Sequence, residues 1–396
     1  MTETPPDRLT PICQHSGPCG GCSLLHLPYG DQLRNKTHSL RRLLEPLLPV
    51  SLTGSGSLFL DVAASDPSPV HFRQKVSFVF GTDPRSRSLI MGHYRRGSRQ
   101  VVSIADCPVH SERGNRIAFA LRDQLQRAGV AAADGRGGVL RHLIVRTTAD
   151  DRQAVAMLVV TRNDKSLRNP VRALMNSVDA PDGFFVNINE DPGPFMVGES
   201  TLRVAGTSHI RERLGGIDYL VSPTAFFQTN VHAAEVLQRH VVESMHGTRR
   251  VLDLYCGSGL FALPLAATGV TVTGIEENAQ AITDAQANAR LNGVPSANVR
   301  FLAARVEQWA PKLGAEPWDG VILDPPRQGC SDAVLEAVFQ EVRPPRVTYV
   351  SCNPESLAAE LGGILQCGYR ATSLRAVDMF PHTDHIEAVL TLAREP

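Results

Sequence analysis

The stretch Val251-Leu-Asp-Leu-Tyr-Cys-Gly-Ser-Gly-Leu260 constrains the fold of this chain more than any other. An apolar run around Asp253 meets a glycine-spaced turn, Gly257-Ser-Gly259, and continues into the apolar residues 261–267. That pattern predicts a buried parallel strand, a tight loop and a helix. Glycines in such a loop let the backbone approach a ligand with no Cβ in the way. A second apolar strand, residues 270–275, ends in Glu276, where a carboxylate can accept hydrogen bonds from ribose hydroxyls. The glycines fall short of GxGxxG, and the loop has neither the lysine nor the length of a phosphate-cradling P-loop. A ligand with an adenosine and no phosphates fits better, which points to S-adenosylmethionine. The alternative is an ordinary strand-to-helix turn.

Strands and helices alternate from residue 222 to the end, which predicts a doubly wound parallel sheet. The expected architecture is α/β in three parts. Residues 1–50 form a short cysteine-rich segment and a helix, residues 51–221 a central mixed α/β domain, and residues 222–396 the C-terminal Rossmann-like domain. A chain of 396 residues can bury more than one core. The 40 basic side chains balance 40 acidic ones, so any nucleic-acid site must be local rather than global. No apolar run reaches transmembrane length and no signal-peptide pattern opens the chain, so the expected location is cytoplasmic.

Eight cysteines are too few and too unevenly spread for a secreted disulfide scaffold. Cys13, Cys19 and Cys22 have Cys-x5-Cys-x2-Cys spacing in a Gly/Pro-rich loop that lets their sulfurs converge. Cys107, in Ile104-Ala-Asp-Cys-Pro-Val109, is the candidate fourth ligand, contributed by the central domain. Four thiolates suit zinc or an iron–sulfur cluster, and the spacing does not separate the two.

Helical periodicity covers residues 31–48, and the Ser/Gly/Pro-rich residues 50–69 read as a connector. Residues 70–102 alternate apolar with polar, as antiparallel strands do. Arg73, Lys75, Arg85, Arg87, Arg95, Arg96 and Arg99 stand there against the single acid Asp83, interleaved with Phe72, Phe78, Phe80 and Tyr94. Arginines on phosphates and aromatics under bases would make this an RNA-contact surface. The same pattern also describes a solvated face over strands whose aromatics point inward. Further on, Asp191-Pro-Gly-Pro194 predicts a turn, and Gly206 the turn between two paired strands.

Four more stretches of the last domain carry polar groups, most of them at expected strand ends. They are Phe226-Phe-Gln-Thr-Asn230, Val321-Ile-Leu-Asp-Pro-Pro-Arg327, Val347-Thr-Tyr-Val-Ser-Cys-Asn-Pro354 and Met379-Phe-Pro-His-Thr-Asp-His-Ile-Glu387. Singly, each has a plain reading. Gln228 could open a helix, Asp324 a turn, and Cys352 could be a small buried residue. Glu387 could be a surface carboxylate, and His382 and His385 loop histidines.

Together they resemble the RNA 5-methyluridine methyltransferase family, whose bacterial members include two 23S rRNA uracil-C5 methyltransferases and the tRNA uridine-54 enzyme. The resemblance spans almost the whole chain. It runs through Cys13, Cys19, Cys22 and Cys107, Phe-Gln-Thr-Asn, Asp-Leu-Tyr-Cys-Gly-Ser-Gly, Asp-Pro-Pro-Arg, Ser-Cys-Asn-Pro and Phe-Pro-His-Thr-x-His-x-Glu.

That resemblance implies a C-terminal methyltransferase domain using S-adenosylmethionine to methylate uracil C5 in RNA. The family nucleophile aligns with Cys352, whose thiolate would attack C6, and the family base with Glu387, which would remove the C5 proton. Gln228, Tyr255, Gly257, Glu276 and Asp324 fall at cofactor positions; Leu260 and Arg305 depart from asparagines that some members present there. The four cysteines match the ligands of a [4Fe-4S] cluster in the rRNA enzymes, so the resemblance favours iron–sulfur over zinc and 23S rRNA over tRNA. The target uridine would be flipped out of its stack. The tRNA uridine-54 reaction is the alternative, and an iron–sulfur RNA-binding protein with an inactive methylase fold the non-enzymatic one. Retention of both Cys352 and Glu387 speaks against the last.

Overall fold

The computed structural model describes residues 12–48, 62–65, 68–134, 137–190 and 196–395. The start of the chain, most of the 50–69 connector and the expected turn at 191–194 lie outside those residues. A loop carrying Cys13, Cys19 and Cys22 leads into α1 (Tyr29–Leu44). On α1, Gln32, Lys36, Leu40 and Leu44 recur every four residues and form one buried stripe, polar in its first half and apolar in its second.

A mixed seven-stranded sheet follows. Its elements are β1 (Lys75–Thr82), β2 (Leu89–Tyr94), β3 (Val101–Ser103), α2 (Glu112–Arg127), β4 (Leu140–Thr147), β5 (Ala154–Val160), α3 (Arg168–Met175), β6 (Gly183–Ile188) and β7 (Ser200–Gly206). The strand order is β3-β2-β1-β4-β5-β6-β7, antiparallel except for β5 and β6, which α3 joins as a crossover. Every residue of β5 is buried, because both faces of the sheet are covered. One face packs on α2 and α3. Ser111 caps α2 by accepting a hydrogen bond from Gly114 N at 3.0 Å, and Ile117, Leu121 and Leu125 form its fully buried stripe. Each such side chain contributes roughly 1.5–3 kcal/mol by burial.

The expected hairpin about Gly206 does not form. β7 pairs with β6 to its last residue, and the chain then leaves the sheet for a separate hairpin, β8 (Ile210–Leu214) and β9 (Ile217–Val221). Gly206 (φ +70°) serves a close pass instead: a Cβ there would stand 1.9 Å from the carbonyl oxygen of Asp182.

The C-terminal part comprises α4 (Val231–Ser244), β10 (Arg250–Leu254), α5 (Ala262–Ala267), β11 (Thr271–Glu276), α6 (Ala279–Leu291), β12 (Val299–Ala303) and α7 (Val306–Trp309). It continues through β13 (Gly320–Leu323), α8 (Asp332–Glu336), β14 (Arg346–Ser351), α9 (Pro354–Gln366), β15 (Tyr369–Val377) and β16 (Glu387–Arg394). Its sheet has the order β12-β11-β10-β13-β14-β16-β15, with β16 alone running against its neighbours. The β8–β9 hairpin, placed with the central domain from the sequence, docks on α6, where Asn288 and Asn292 accept from Leu220 N and Asp218 N. The second face of the central sheet shares one apolar core with α4 and the C-terminal sheet.

α1 also belongs to this part structurally: Leu40 and Leu44 join the core under β13, β14 and α9. Its polar half is tied to the loop before β16. Lys36 Nζ donates to Asp378 Oδ1 (2.7 Å) and Phe380 O (3.2 Å), and Tyr29 OH donates to Asp378 Oδ2 (3.0 Å). Gln32 accepts from His382 N (3.0 Å), while Ser23 N and Leu24 N donate to His382 O at 2.9 Å. Lys36 and Asp378 are both buried, so removing one strands the other's charge in the core. Asp378→Ala is expected to cost roughly 3–5 kcal/mol in urea denaturation, and the apolar pair Lys36→Met with Asp378→Leu much less. Equal losses in the two proteins would show that the pair itself stabilises the fold.

Candidate active site

Between β10 and β13 the sheet reverses its direction of growth, and the crevice outside the strand ends at such a point is where open α/β sheets bind ligands. Tyr255, just past β10, has φ +65°, uncommon for an aromatic residue. Tyr255 N and Cys256 N hold that turn by donating to Ile275 O of β11 at 2.9 and 3.1 Å. At Gly259 (φ +90°) a Cβ would meet the Leu263 side chain at 2.9 Å, so the loop can close on α5 only with glycine there. Glu276 accepts from Gly257 N (3.2 Å) and Asn278 N (2.8 Å), which fixes its carboxylate at the mouth of the loop.

Asp253, Glu276, Asp324 and Glu387 form a row of carboxyls across the strand ends, close enough to repel one another. Burial, reinforced by Asp324, raises the Asp253 pKa well above the carboxylate range. Burial and Glu276 push Asp324 up to about 7, although part of that side chain touches solvent. Burial and Asp324 raise Glu387 well up, against the opposing pull of the Arg327 guanidinium. A ligand carrying a sulfonium and an ammonium would relieve this repulsion, so the crevice fits S-adenosylmethionine by charge.

β14 and β16 pair with Arg346 opposite Ala393 and Ser351 opposite Ala388. Cys352 follows the last residue of β14 and Glu387 is the first residue of β16, so both lie at the same edge of the sheet, close enough for their charges to interact. Burial raises the Cys352 thiol, and the Glu387 and Asp324 charges add to the rise while Arg327 opposes it. Asn353 Nδ2 and Ser356 Oγ both donate to Arg327 O (3.0 and 2.9 Å). Glu360 accepts from Cys330 N (2.9 Å) and Tyr349 OH (2.8 Å), so the start and middle of α9 hold the chain that follows Asp-Pro-Pro at Arg327 and at Cys330. Gln228 is half-buried in the loop ahead of α4. That loop is tied to the approach to β16 by Asn230 Nδ2 donating to Met379 O (3.2 Å), and to the central sheet by Gln74 N donating to Thr229 O (2.7 Å).

The four sequence-predicted cysteines, Cys13, Cys19, Cys22 and Cys107, line one cavity of about 110 Å³ with Arg73, His93 and His110. Burial raises the Cys19 thiol and pushes Cys22 and Cys107 up to about 12, and neighbouring cysteines add to the rise. Thiols crowded in this way favour deprotonation only when a metal centre takes their charge, and Arg73 offers a further compensating cation beside Cys22 and Cys107. The donor set therefore fits a thiolate-ligated metal centre. His93, Cys107 and His110 also have ligand atoms within 4.8 Å of one another, a grouping that the cysteine spacing did not reveal.

The chain matches the model of the tRNA (uracil-5-)-methyltransferase family over residues 29–395. It belongs to that family. An RNA methyltransferase of Gloeobacter violaceus is 35% identical over 100% of this chain and 85% of its own length. One of Geobacter sulfurreducens is 34% identical over 97% of this chain and 77% of its own. Among solved structures, the Pyrococcus abyssi tRNA (uracil-54, C5)-methyltransferase in complex with S-adenosyl-L-homocysteine is similar over 98% of this chain and 86% of that one, with TM-score 0.78 and 28% identity.

In this methyltransferase the basic stretch splits in two. Arg85, Arg87, Arg95, Arg96 and Arg99 are exposed beside Tyr94, but Phe72, Phe78 and Phe80 pack into the core against α2 and cannot stack bases. Arg73 and Lys75 turn their charged ends inward; burial lowers both pKa values, that of Lys75 to about 8. Arg305 pairs with Glu277 and Glu307 at 3.8 Å, and Leu260 packs against the core.

Glu387 should also mark its site through stability. Its folded-state pKa lies well above the ordinary 4.5, so the stability it lends at low pH is lost as pH rises from about 4.5 through the folded value. Glu387→Gln keeps the shape without the charge. It is expected to melt about 2–4 °C higher than the native protein at pH 8 and at the same temperature at pH 4. A variant less stable at pH 8 would contradict the buried, strained carboxylate.

Proposed function

We propose that this methyltransferase transfers a methyl group from S-adenosylmethionine to C5 of a uridine in RNA, with Cys352 as nucleophile and Glu387 as base. The observation that carries the reading is the antiparallel pairing of β14 with β16, which brings Cys352 and Glu387 to one edge of the sheet, within electrostatic reach of each other and of Asp324. Uracil C5 is too weak a nucleophile to take a methyl group unaided. Sγ of Cys352, as thiolate, adds to C6 and pushes the C5–C6 π electrons onto C5 and O4. Bound S-adenosylmethionine supplies the electrophilic methyl and a positive charge near the carboxyl row. Glu387 then takes the C5 proton, the C5–C6 double bond re-forms, and Sγ leaves C6. Burial gives the ionised Glu387 the basicity this step needs, and Asp324 and Arg327 bias its charge in opposite directions. Glu276 would hold the ribose hydroxyls, with Gln228, Tyr255 and Gly257 as further cofactor contacts.

We take 23S rRNA as the substrate and the four-cysteine cavity as the seat of a [4Fe-4S] cluster held by Cys13, Cys19, Cys22 and Cys107. Support for the cluster lies in the convergence of those thiols on one cavity beside Arg73, and support for rRNA in the resemblance of that cysteine set to that of the rRNA enzymes. The cluster would be structural or RNA-positioning, since methyl transfer moves no electrons through it. The likeness to the Pyrococcus abyssi tRNA (uracil-54, C5)-methyltransferase favours tRNA as the second reading. With no nucleic-acid role for the buried phenylalanines, the exposed arginines on either side of β2 are left to guide the RNA by phosphate contacts.

The test uses protein purified without oxygen, assayed for iron and acid-labile sulfide, then incubated with methyl-labelled S-adenosylmethionine and unmodified 23S rRNA or tRNA. Label in 5-methyluridine from rRNA alone is expected; label from tRNA alone moves the substrate to the second reading. Cys352→Ala should abolish both methylation and the covalent RNA adduct, and Glu387→Gln should accumulate the adduct. An active Cys352→Ala protein would falsify the mechanism. Separately, Arg95→Glu with Arg96→Glu should weaken RNA binding and flatten its salt dependence by roughly two phosphate contacts; an unchanged slope removes this surface from the RNA path.

A further inference from the structure

Cys352 opens on a groove that runs along α1. The groove, of about 460 Å³, runs between α1 and the start of α9, lined by Cys352, Asn353, Pro354 and Glu355 on one side and by Asn35, Lys36, Ser39, Leu40 and Leu43 on the other. Arg327, Asp384, His385 and Ile386 close its end, whereas Asp324, Glu387 and Gln228 do not line it. The groove meets the site of chemistry at Cys352 and Arg327 and extends away from it along α1.

Asn35, Ser39 and Leu43 recur at intervals of four, so one stripe of α1 faces the groove. Asn35 and Ser39 are exposed, and among the described residues their side chains make no hydrogen bond to the protein. Leu40, Leu43, Pro354 and Ile386 supply flat apolar contact, and the carboxylates of Glu355 and Asp384 stand at the rim. Asp384 is held in place by Ser23 Oγ, which donates to it at 2.7 Å. Apolar walls, amide and hydroxyl groups and acceptor-only carboxylates suit a nucleobase that donates protons from its edge. The carboxylates disfavour a phosphate in the groove itself, so the backbone is left to Arg327, the one exposed cation at its end.

We propose that this groove binds the nucleotide next to the methylated uridine, as an unstacked base bearing an exocyclic amino group (adenine, guanine or cytosine) whose phosphate lies on Arg327. The proposal rests on the RNA uridine reading above. Cys352 marks where C6 of the target must lie, and a base one nucleotide away falls within reach of a chamber walled by the same cysteine. Uracil there would present O4 rather than an amino group to Glu355 and Asp384, so the site also guards against presenting a run of uridines.

The test begins with the RNA that the native protein methylates and the uridine mapped in it. Each flanking nucleotide is replaced in turn by an abasic residue, and by uridine, in a transcript ligated from synthetic fragments. KM and kcat are then measured with the native protein, with Ser39→Trp, which fills the groove, and with Asn35→Ala, which removes one polar contact. One flank alone should matter, its abasic and uridine forms each raising KM roughly tenfold at little cost in kcat. Ser39→Trp should raise KM by a similar factor on the native RNA and add nothing on the abasic one, and Asn35→Ala should raise it by less. S-adenosylhomocysteine affinity should be unmoved in both variants, which a misfolded protein would not manage. An unchanged KM in Ser39→Trp, indifference to both flanks, or losses that multiply between variant and abasic RNA would each overturn the proposal. If the native protein methylates no RNA at all, the functional reading falls first and this one with it.

Discussion

The antiparallel pairing of β16 with β14 is the contact on which the rest of the site depends. β16 is the only strand that runs against its sheet, and this reversal brings its first residue, Glu387, to the same edge as the carboxyl end of β14. Had β16 run parallel, Glu387 would sit at the far end of the sheet from Cys352. A one-residue slip would be as damaging, because side chains alternate between faces with a period of two. The register is secured by the buried run along β16 and by β15 on its outer side, where Val377 pairs with Glu387 itself.

Around that pairing the protein concentrates negative charge in a poorly solvated place. Burial and neighbouring carboxylates, Glu276 among them, raise the proton affinity of Asp253, Asp324 and Glu387, and Cys352 shares their field. Such an arrangement is unfavourable to the empty protein and favourable to a cationic ligand, so ligand affinity and strain in the free site have one origin. Arg327 is the counterweight. Its loop is braced by Asn353, Ser356 and Glu360 because a mobile guanidinium would change the charge balance at both Cys352 and Glu387.

Much of this was legible in the primary structure. The strand–loop–helix at Val251–Leu260 and the acid at Glu276 carry a local pattern, apolar run then glycine then acid, that needs no tertiary information. The four cysteines could be grouped because few other residues do what a buried thiol does. What stayed hidden depended on long-range packing. Phe72, Phe78 and Phe80 lie in the same basic stretch whether they face a core or an RNA, and only the position of α2 decides. Gln32 and Lys36 read as solvated polar residues at helical spacing; their partners, His382 and Asp378, lie 350 and 342 residues away. Gly206 carries the composition of a hairpin turn, and its actual use is a close pass by Asp182 that no local pattern encodes.

The staple between α1 and the approach to β16 has a consequence for how the chain is made. The ribosome releases Gln32 and Lys36 long before Asp378 and His382 exist, so the helix must wait, unpaired, through the synthesis of both sheets. Non-local closures of this kind are slow, and until they form the polar half of the buried stripe keeps the waiting helix soluble where an all-leucine stripe would seek other partners. Because α1 is tied to Asp378 and His382, the wall of the groove beside Cys352 is completed only when that approach to β16 is in place. The groove is therefore walled by two parts of the chain that are made far apart in time.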